Sequence, residues 1–233
     1  VLLCDDCSDI ETDWTAADGG GGETSGESTQ VTYDGRSCFK LDSGPNSAAN
    51  NDYAGIYRDG SPFGSYTTIR CVFNPVTLGT INDNDYFRIR AENGTIRLYI
   101  AVASNGLYVR NGTAWILASA DAFSTGSWQT LEAVVDWTAR TVSFYKVTSG
   151  VRTAIALDMS CSCEESSTDG RIYLYQYGYS TNNCITYIDD IRVANAQVFP
   201  KTGDRWEDTD DNNTNYTWSG IAWVKSADIT ANN

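Results

Sequence analysis

Histidine is absent from all 233 residues of the chain, which excludes several kinds of active site. A Ser-His-Asp triad, a Cys-His nucleophile pair and a His-ligated zinc site all require an imidazole. An enzyme built from this chain would have to work through carboxylates, tyrosine, lysine or arginine. The sequence also has no run of eighteen apolar residues, so we expect no membrane-spanning helix.

Basic residues are scarce: 16 Lys and Arg stand against 30 Asp and Glu, giving a formal net charge of -14. A protein that binds duplex nucleic acid needs a basic surface to displace counterions, so we expect no nucleic acid partner. An acidic surface keeps a protein soluble and also suits Ca²⁺. The hydrophobic content of 41% is ordinary for a folded protein and allows one large domain plus an appendage.

The seven cysteines are an odd number. An oxidising exterior would permit disulfides and leave one thiol over. Cys4-x-x-Cys7 precedes no βαβ pattern, and the spacing of Cys161-x-Cys163 is wrong for a zinc ribbon. Disulfides and buried thiols therefore stay open as alternatives, with disulfides somewhat favoured and zinc disfavoured.

Strand signals dominate the chain, and only four prolines interrupt them. Thr, Val, Ile, Tyr and Trp alternate with polar residues, and helical periodicity is nearly absent. This pattern predicts an all-β fold, a two-sheet antiparallel jelly-roll sandwich with a small C-terminal β appendage. We place the jelly-roll domain at residues 1–197 and the appendage at 198–233. The predicted strands are 2–6, 30–33, 38–41, 54–58, 66–73, 128–137, 141–147, 171–179 and 184–193.

Two hairpins are predicted from Asn-Gly pairs at Asn93-Gly94 and Asn111-Gly112, because such pairs favour tight two-residue turns. The first would separate an apolar face from a polar face of its two strands. The expected opposite pairs are Arg90 with Arg97, Arg88 with Tyr99, Tyr108 with Trp115 and Val109 with Ala114.

The segment R-I-Y-L-Y-Q-Y-G-Y at residues 171–179 is the strongest candidate binding surface. Period-two alternation puts its tyrosines on one face and Ile172, Leu174 and Gln176 on the other, which is the better core side. Aromatic rings can stack on sugars, and phenols and arginines can hydrogen-bond to them. Packing of the row under a loop or a neighbouring subunit is the favoured alternative. The candidate glycan-binding residues are Tyr173, Tyr175, Tyr177, Tyr179, Arg88, Arg90, Arg97 and Tyr99.

Four landmarks occur in order along the large domain. They are C-D-D-C at residues 4–7 leading to Trp14, D-G-R-S-C-F-K-L at 34–41, G-S-W-Q-T-L at 126–131 leading to Asp136, and Y-I-D-D-I-R-V at 187–193. Together they resemble the concanavalin A-like (laminin-G-like) jelly-roll superfamily over roughly residues 1–195. The resemblance implies the fold rather than a function, since the fold serves lectins, carbohydrate-binding modules, glycosidases, lyases and inert spacers.

The enzymes of that superfamily give a pattern to test. Its retaining glycosidases carry an E-x-D-x-E type of motif with two carboxylates about 5 Å apart. The nearest candidates here, Glu132 and Asp136, would lie roughly 13 Å apart along one strand. Its alginate lyases use a Q-I-H motif, which a chain without histidine cannot match. We therefore expect no enzymatic activity.

The resemblance also implies a calcium site. In this fold the first and last strands commonly pair, and relatives hold a structural Ca²⁺ near such positions through oxygen ligands. Adjacent aspartates on a strand point to opposite faces, so at most one of each pair could serve. The alternative is that the acids protect edge strands from pairing with another chain. The candidate ligands are Asp5, Asp6, Asp189 and Asp190.

The last segment reads as three short strands between Thr202 and Val224. It is too small to bury a core alone, so it needs a neighbour or copies of itself. Its pattern G-D-x-W-x-D-T followed by Y-x-W-x-G-x-x-W resembles a short module of bacteriophage tail-fibre and other virion surface proteins. The candidate assembly residues are Trp206, Tyr216, Trp218 and Trp223.

Together these features predict a non-enzymatic virion surface protein, a fibre or decoration, that displays a lectin-like jelly roll, with glycan binding as a secondary role. The expected partners are copies of itself, with a trimer favoured, other virion proteins, and a cell-surface glycan. The expected location is the virion surface or the extracellular space. The alternatives are a carbohydrate-binding module of a secreted polysaccharide-degrading enzyme and a subunit of an extracellular filament or adhesin.

Overall fold

The computed structural model describes residues 3–5, 14–18, 27–44, 52–60, 62–161, 163–164, 170–179, 183–195, 205–208, 214–218 and 223–225. The chain divides into two units, Val1–Gln197 and Val198–Asn233. All of the regular secondary structure in the described ranges is β-strand. Those ranges accordingly hold no helix long and apolar enough to cross a membrane.

The first sheet, sheet A, has eight strands. They are β1 (Leu3–Asp5), β3 (Glu27–Tyr33), β4 (Arg36–Asp42), β6 (Tyr66–Thr77), β11 (Gln129–Asp136), β12 (Thr141–Thr148), β13 (Val151–Ser160) and β16 (Ile185–Ala194). Seven follow the order β13-β12-β11-β6-β16-β4-β3. β1 pairs antiparallel with β16, with Leu3 opposite Val193, so the predicted pairing of the first and last strands of the domain is confirmed.

The second sheet, sheet B, also has eight strands. They are β2 (Thr15–Ala16), β5 (Asp52–Asp59), β7 (Phe87–Asn93), β8 (Ile96–Ala103), β9 (Gly106–Asn111), β10 (Ala114–Ser119), β14 (Cys163–Glu164) and β15 (Arg171–Gly178). Seven follow the order β10-β9-β8-β7-β15-β5-β2, and β14 pairs with β8. β15 therefore lies in the middle of the sheet, between β5 and β7.

One hydrophobic core joins the inner faces of the two sheets. Phe73 of sheet A and Phe87 of sheet B are both fully buried, and their ring centroids lie 5.4 Å apart across the interface. Burying a side chain of this size contributes about 1.5–3 kcal/mol before the entropy of ordering is counted. The prediction of an all-β two-sheet antiparallel sandwich is confirmed.

The predicted register of both Asn-Gly hairpins is wrong by two residues. Asn93 pairs with Ile96 and Asn111 pairs with Ala114, so each asparagine ends its strand instead of entering the turn. The first central turn residue is the glycine, with φ of +60° at Gly94. A turn with glycine in that place needs a positive φ only there, whereas the predicted turn needs it at both central residues. Because the displacement is even, every side chain keeps its predicted face. The observed opposite pairs are Arg90 with Tyr99, Glu92 with Arg97, Arg88 with Ala101, Arg110 with Trp115 and Tyr108 with Leu117.

β13 is a ten-residue strand that the sequence pattern does not predict. It pairs only with β12 in the order of sheet A and forms one end of that order. Its apolar residues do not alternate cleanly, and Val151 and Leu157 are exposed. An edge strand that has no fully buried side chain and shifts its register against β12 gives no period-two signal, which explains the miss.

The four cysteines with described side chains, Cys38, Cys71, Cys161 and Cys184, are all buried. Cys38, Cys71 and Cys184 are free thiols, so the alternative of buried thiols holds for these three in place of the favoured disulfides. Burial raises the pKa of Cys71 well above its ordinary value and raises the pKa of Cys184 to about 12. Such thiols are poor nucleophiles and poor metal ligands at neutral pH.

The C-terminal unit contains a three-stranded antiparallel sheet of β17 (Arg205–Asp208), β18 (Thr214–Trp218) and β19 (Trp223–Lys225). The predicted small β appendage is thus confirmed. Trp206 is opposite Tyr216, and Trp218 is opposite Trp223. Directly opposite residues share a face, as do residues two apart on one strand. All four candidate assembly residues are therefore at positions on one face of this sheet.

Candidate functional site

Strand alternation in β15 determines which of its side chains face away from the core. Ile172 and Leu174 belong to the core between the sheets, and Gln176 is fully buried with its Oε1 accepting a hydrogen bond from Thr186 at 2.6 Å. The intervening residues Tyr173, Tyr175 and Tyr177 occupy the outer face of sheet B. Tyr179 follows the end of the strand and is exposed.

The neighbours of β15 turn this row into a wider layer. Tyr173 is opposite Arg90 on β7 and Tyr57 on β5, while Tyr175 is opposite Arg88 and Gly55. The row of residues through Tyr173 continues across β8, β9 and β10. From β5 to β10 its members are Tyr57, Tyr173, Arg90, Tyr99, Arg110 and Trp115. Six strands at their usual spacing make this row about 24 Å long. We call the outer face of sheet B the tyrosine–arginine face, formed by Tyr53, Tyr57, Arg88, Arg90, Arg97, Tyr99, Arg110, Arg171, Tyr173, Tyr175 and Tyr177.

Guanidinium groups lie over the phenol rings of this face. The guanidinium carbon of Arg90 lies 3.6 Å from the ring centroid of Tyr173, and that of Arg88 lies 4.4 Å from the centroid of Tyr177. Arg171 lies 4.7 Å from the centroid of Tyr57. Each such contact is worth about 0.5–2 kcal/mol, depending on how far it is removed from water. The contacts hold planar donor groups in fixed orientations.

Two carboxylates are built into the same face. Oε1 of Glu92 lies 2.8 Å from Nη2 of Arg90 and 3.0 Å from Nε of Arg97. Asp59 forms a two-point ion pair with Arg171, whose Nη1 also donates to the hydroxyl of Tyr173 at 2.8 Å. The ion pairs and the ring contacts therefore form one continuous network.

The predicted tyrosines differ widely in exposure. Tyr173 and Tyr175 are only 8% and 6% exposed, because neighbouring rings and the guanidiniums of Arg88 and Arg90 cover them. Tyr177 is half-buried, and its hydroxyl accepts a hydrogen bond from Arg88. Burial raises the pKa of both Tyr175 and Tyr177, and the nearby arginines offset part of that rise. The surface available to a ligand consists of arginine edges together with Tyr177 and Tyr179, rather than a bare row of rings.

Several residues of this face were missed by the sequence analysis. Tyr57 lies on the predicted strand 54–58, Tyr53 directly precedes that range, and Arg171 begins the tyrosine strand itself. The alternation along each strand can predict which face these side chains occupy. It cannot predict that they lie near Tyr173, since strands 52–59 and 171–178 are far apart in the sequence.

A second aromatic cluster lies on sheet A and was also missed. Tyr33 and Tyr187 stack with ring centroids 3.8 Å apart and nearly parallel planes. Trp128 lies 6.3 Å from Tyr33, donates from Nε1 to Asp34, and has Arg36 over its ring at 4.9 Å. The three rings come from three separate segments, so no local pattern predicts the cluster.

The candidate calcium ligands are engaged by arginines where they are described. Asp189 forms an ion pair with Arg36, and Asp190 accepts from Nε and Nη2 of Arg192 at 3.0 and 2.8 Å. Burial raises the pKa of Asp190, and the hydrogen bond from Arg192 partly offsets this. The described residues contain no group of three or more acidic or thiol side chains able to hold a metal.

These two carboxylates, already neutralised by guanidiniums, do not match the set of free oxygen ligands that calcium takes. Asp6 and the side chain of Asp5 lie outside the described residues. The calcium site therefore stays a prediction.

Glu132 and Asp136, the nearest candidates for a carboxylate pair, both have structural partners. Glu132 is fully buried and binds Nη2 of Arg70 and Nε of Arg152, each at 2.6 Å. Oδ1 of Asp136 accepts from the backbone N–H groups of Thr138 and Ala139 at 2.9 and 2.8 Å. Their four-residue separation along β11 leaves them too far apart for a retaining pair.

No family model matches the chain, and no curated protein sequence matches it. Several solved structures do. Cellulose induced protein, Cip1, has a TM-score of 0.60 at 18% identity, over 84% of this chain and 98% of its own. A conserved carbohydrate esterase of the Shiga toxin-encoding bacteriophage phi24B has a TM-score of 0.54 at 14% identity, over 82% and 96%. A structure described with endo-acting O-glycanases of the human gut microbiota has a TM-score of 0.53 at 13% identity, over 83% and 98%. At these identities the likeness shows the fold alone.

Proposed function

We propose that this protein binds a glycan through the tyrosine–arginine face and acts by binding rather than by catalysis. The observation that carries the proposal is the layer of phenols and guanidiniums on the outer face of sheet B, ordered by ring contacts and ion pairs. A core position gains nothing from such groups, whereas a sugar-binding surface needs fixed hydrogen-bond donors beside aromatic rings.

Binding would use the groups that remain accessible. The outer N–H edges of the arginines donate to sugar oxygens, and the rings of Tyr177 and Tyr179 offer apolar surface to sugar C–H groups. Arg88 and Arg90 are already held against rings, so little side-chain entropy is lost when they bind. The buried rings of Tyr173 and Tyr175 support this arrangement from below.

The similar structures are consistent with this proposal at the level of the fold. The three structures reported above carry names that refer to cellulose, a carbohydrate esterase and O-glycanases. A sandwich of this kind serves carbohydrate chemistry in several settings, and this chain combines it with an arginine-rich outer face of its own.

A glycan array tests the proposal with a matched pair of variants. Tyr179 is 39% exposed at the end of β15, and Tyr66 is 37% exposed at the start of β6 in the other sheet. We expect Tyr179→Ala to weaken binding of whichever glycan the wild type retains, and Tyr66→Ala to leave it unchanged. A wild type that retains no glycan, or two variants that behave alike, would contradict the proposal.

A second proposal concerns display on a virion or other extracellular surface. The register of the C-terminal sheet puts Trp206, Tyr216, Trp218 and Trp223 at positions on one face. A sheet of three short strands with such a face needs a partner surface to be stable. We propose that these residues join copies of the chain, with a trimer favoured, or attach it to other virion proteins.

Light scattering on the full chain and on residues 1–197 tests this second proposal. We expect the full chain to be an oligomer, the shortened chain to be a monomer, and Trp218→Ala to weaken assembly. Thr217→Ala is the matched control, because its position is on the opposite face of the same strand. A full chain that is monomeric would instead favour a carbohydrate-binding module of a secreted enzyme, and an open-ended polymer would favour an extracellular filament.

A further inference from the structure

The charge of the protein is distributed very unevenly. Outward positions on the described strands of sheet B carry five arginines, Arg88, Arg90, Arg97, Arg110 and Arg171, and two carboxylates, Asp59 and Glu92. Five minus two gives this face a formal charge of +3, on a chain whose formal charge is -14. The rest of the chain therefore carries -17. A positive surface has been placed on an otherwise acidic molecule.

The two negative groups of this face differ in depth: Asp59, the partner of Arg171, has a 56% exposed side chain, whereas Glu92 lies below its partners. Glu92 is 1% exposed, while the side chains of its partners Arg90 and Arg97 are 15% and 21% exposed. At Glu92, solvent and ligands therefore meet the two guanidiniums before the carboxylate. The buried carboxylate fixes the two arginines in place without making the surface itself acidic.

The arginines are also held in a form suited to anions. A guanidinium presents a planar fork of N–H donors that matches the two oxygens of a carboxylate or a sulfate. Arg88 lies between the rings of Tyr99, Tyr175 and Tyr177, at 5.0, 5.0 and 4.4 Å from their centroids. Its Nε is buried and its Nη2 donates to the hydroxyl of Tyr177, so the remaining N–H groups of the fork are the ones that can meet a ligand.

Screening keeps this local charge effective despite the acidic remainder. At physiological ionic strength the Debye length is about 8 Å, and two stacked sheets lie about 10 Å apart. A ligand on the outer face of sheet B therefore experiences the nearby arginines more strongly than the acidic groups beyond sheet A.

We propose that the glycan bound by the tyrosine–arginine face is an acidic polysaccharide, one that carries carboxylate or sulfate groups. The proposal rests on the glycan-binding function proposed above and specifies its ligand class. The spread of the five arginines over four strands favours a chain with repeated charges over a single charged sugar at one end.

The test compares acidic polysaccharides with neutral products made from them. The probes are polygalacturonate, alginate and polysialic acid with their carboxyl-reduced forms, and chondroitin sulfate with a desulfated, carboxyl-reduced form, each measured by affinity electrophoresis. We expect at least one acidic member to be retained about tenfold more strongly than its neutral product. Its retention should fall between 0.15 and 1 M NaCl, where the Debye length shortens to about 3 Å.

Each other outcome of the panel overturns the inference in a distinct way. Equal or stronger binding of a neutral product would overturn the ligand class and leave glycan binding intact. Retention of none of the panel, together with an empty glycan array, would overturn both. Equal retention of double-stranded DNA would reduce the effect to attraction between opposite charges and overturn the assignment of a polysaccharide.

Variants locate the effect on the protein. Arg88→Gln should reduce retention of the acidic probe about tenfold, and Arg88→Lys should fall between it and the wild type because the charge stays and the fork is lost. Arg140→Gln, in the turn between β11 and β12 of sheet A, removes the same charge elsewhere and should change nothing. Thermal unfolding checks that all three variants are folded. Wild-type retention by both Arg88 variants would contradict the inference.

Discussion

Gly55 determines whether the ring of Tyr175 can lie flat on sheet B, and replacing it tests the packing of the tyrosine–arginine face. A Cβ atom at Gly55 would lie 2.3 Å from Cδ1 and 2.6 Å from Cε1 of Tyr175, and 3.2 Å from the carbonyl oxygen of Leu174. Carbon atoms in contact are normally about 3.5–4.0 Å apart. In Gly55→Ala the ring must therefore move by about 1 Å or more.

The surroundings of Tyr175 resist such a movement. Its ring stacks on Tyr173 with centroids 5.3 Å apart, meets Tyr53 edge-on at 5.6 Å, and lies 5.0 Å from the guanidinium of Arg88. Overpacking a well-packed site costs about 1–3 kcal/mol, and replacing glycine with alanine returns about 0.4–1 kcal/mol through the unfolded chain. The expected net loss is about 1.5 kcal/mol, which for a domain of this size lowers the melting temperature by about 3–6 °C.

Thermal unfolding followed by circular dichroism measures this loss. Gly64→Ala is the control, because its new Cβ would lie 3.5 Å from Cγ of Asn195, an ordinary contact. We expect that control to melt at or slightly above the wild-type temperature. In a Tyr175→Ala background Gly55→Ala should no longer destabilise, since the clashing ring is gone. Equal losses from Gly55→Ala in both backgrounds would refute the reasoning.

Three further predictions concern ionisable side chains of the domain. Burial raises the pKa of Tyr175 and Tyr177 above the ordinary value of 10, so the unfolded chain loses these protons at a lower pH than the folded protein does. The stability that the two phenols contribute should therefore be complete below pH 10 and fall as the pH rises through their folded-state pKa. Absorbance at 295 nm should show a late-titrating group of tyrosines, and a single ordinary titration would contradict this. Cys71 and Cys184 should resist a thiol reagent in the native protein and react after unfolding, as mapped by mass spectrometry; rapid native labelling of either would show that its burial is wrong. Glu132→Gln should lower the free energy of unfolding by about 3–5 kcal/mol in a denaturant titration, because two arginines lose a fully buried partner, and a loss below about 1 kcal/mol would contradict the ion pairs described.

The strand pattern of the sequence predicted the class of fold and the faces of β15. Ile172 and Leu174 lie in the core because a strand alternates with a period of two, and this period can be read from a single segment. The two-residue error in the register of the hairpins arises because a local pattern does not determine how two strands pair. An Asn-Gly pair predicts a turn nearby, but whether asparagine enters the turn depends on the pairing that follows it.

The composition of the site was only partly predictable for a physical reason. Tyr57 and Arg171 join the face because β5 and β7 pair with β15, and strand order is a non-local property of the whole sheet. The sequence could not identify what covers Tyr173, because the guanidinium of Arg90, which lies over its ring, comes from another strand. A strand pattern indicates which way a side chain points and not what covers it.

The most direct test of the central claim is to map glycan contacts on the protein by nuclear magnetic resonance, using the Nε–H signals of its arginines. The glycan retained most strongly on the array is titrated into the labelled protein. Our account predicts that the signals of Arg88, Arg90 and Arg171 shift, while those of Arg70 and Arg152 on sheet A stay unchanged. Shifts confined to the arginines of sheet A, with the tyrosine–arginine face unaffected, would contradict it.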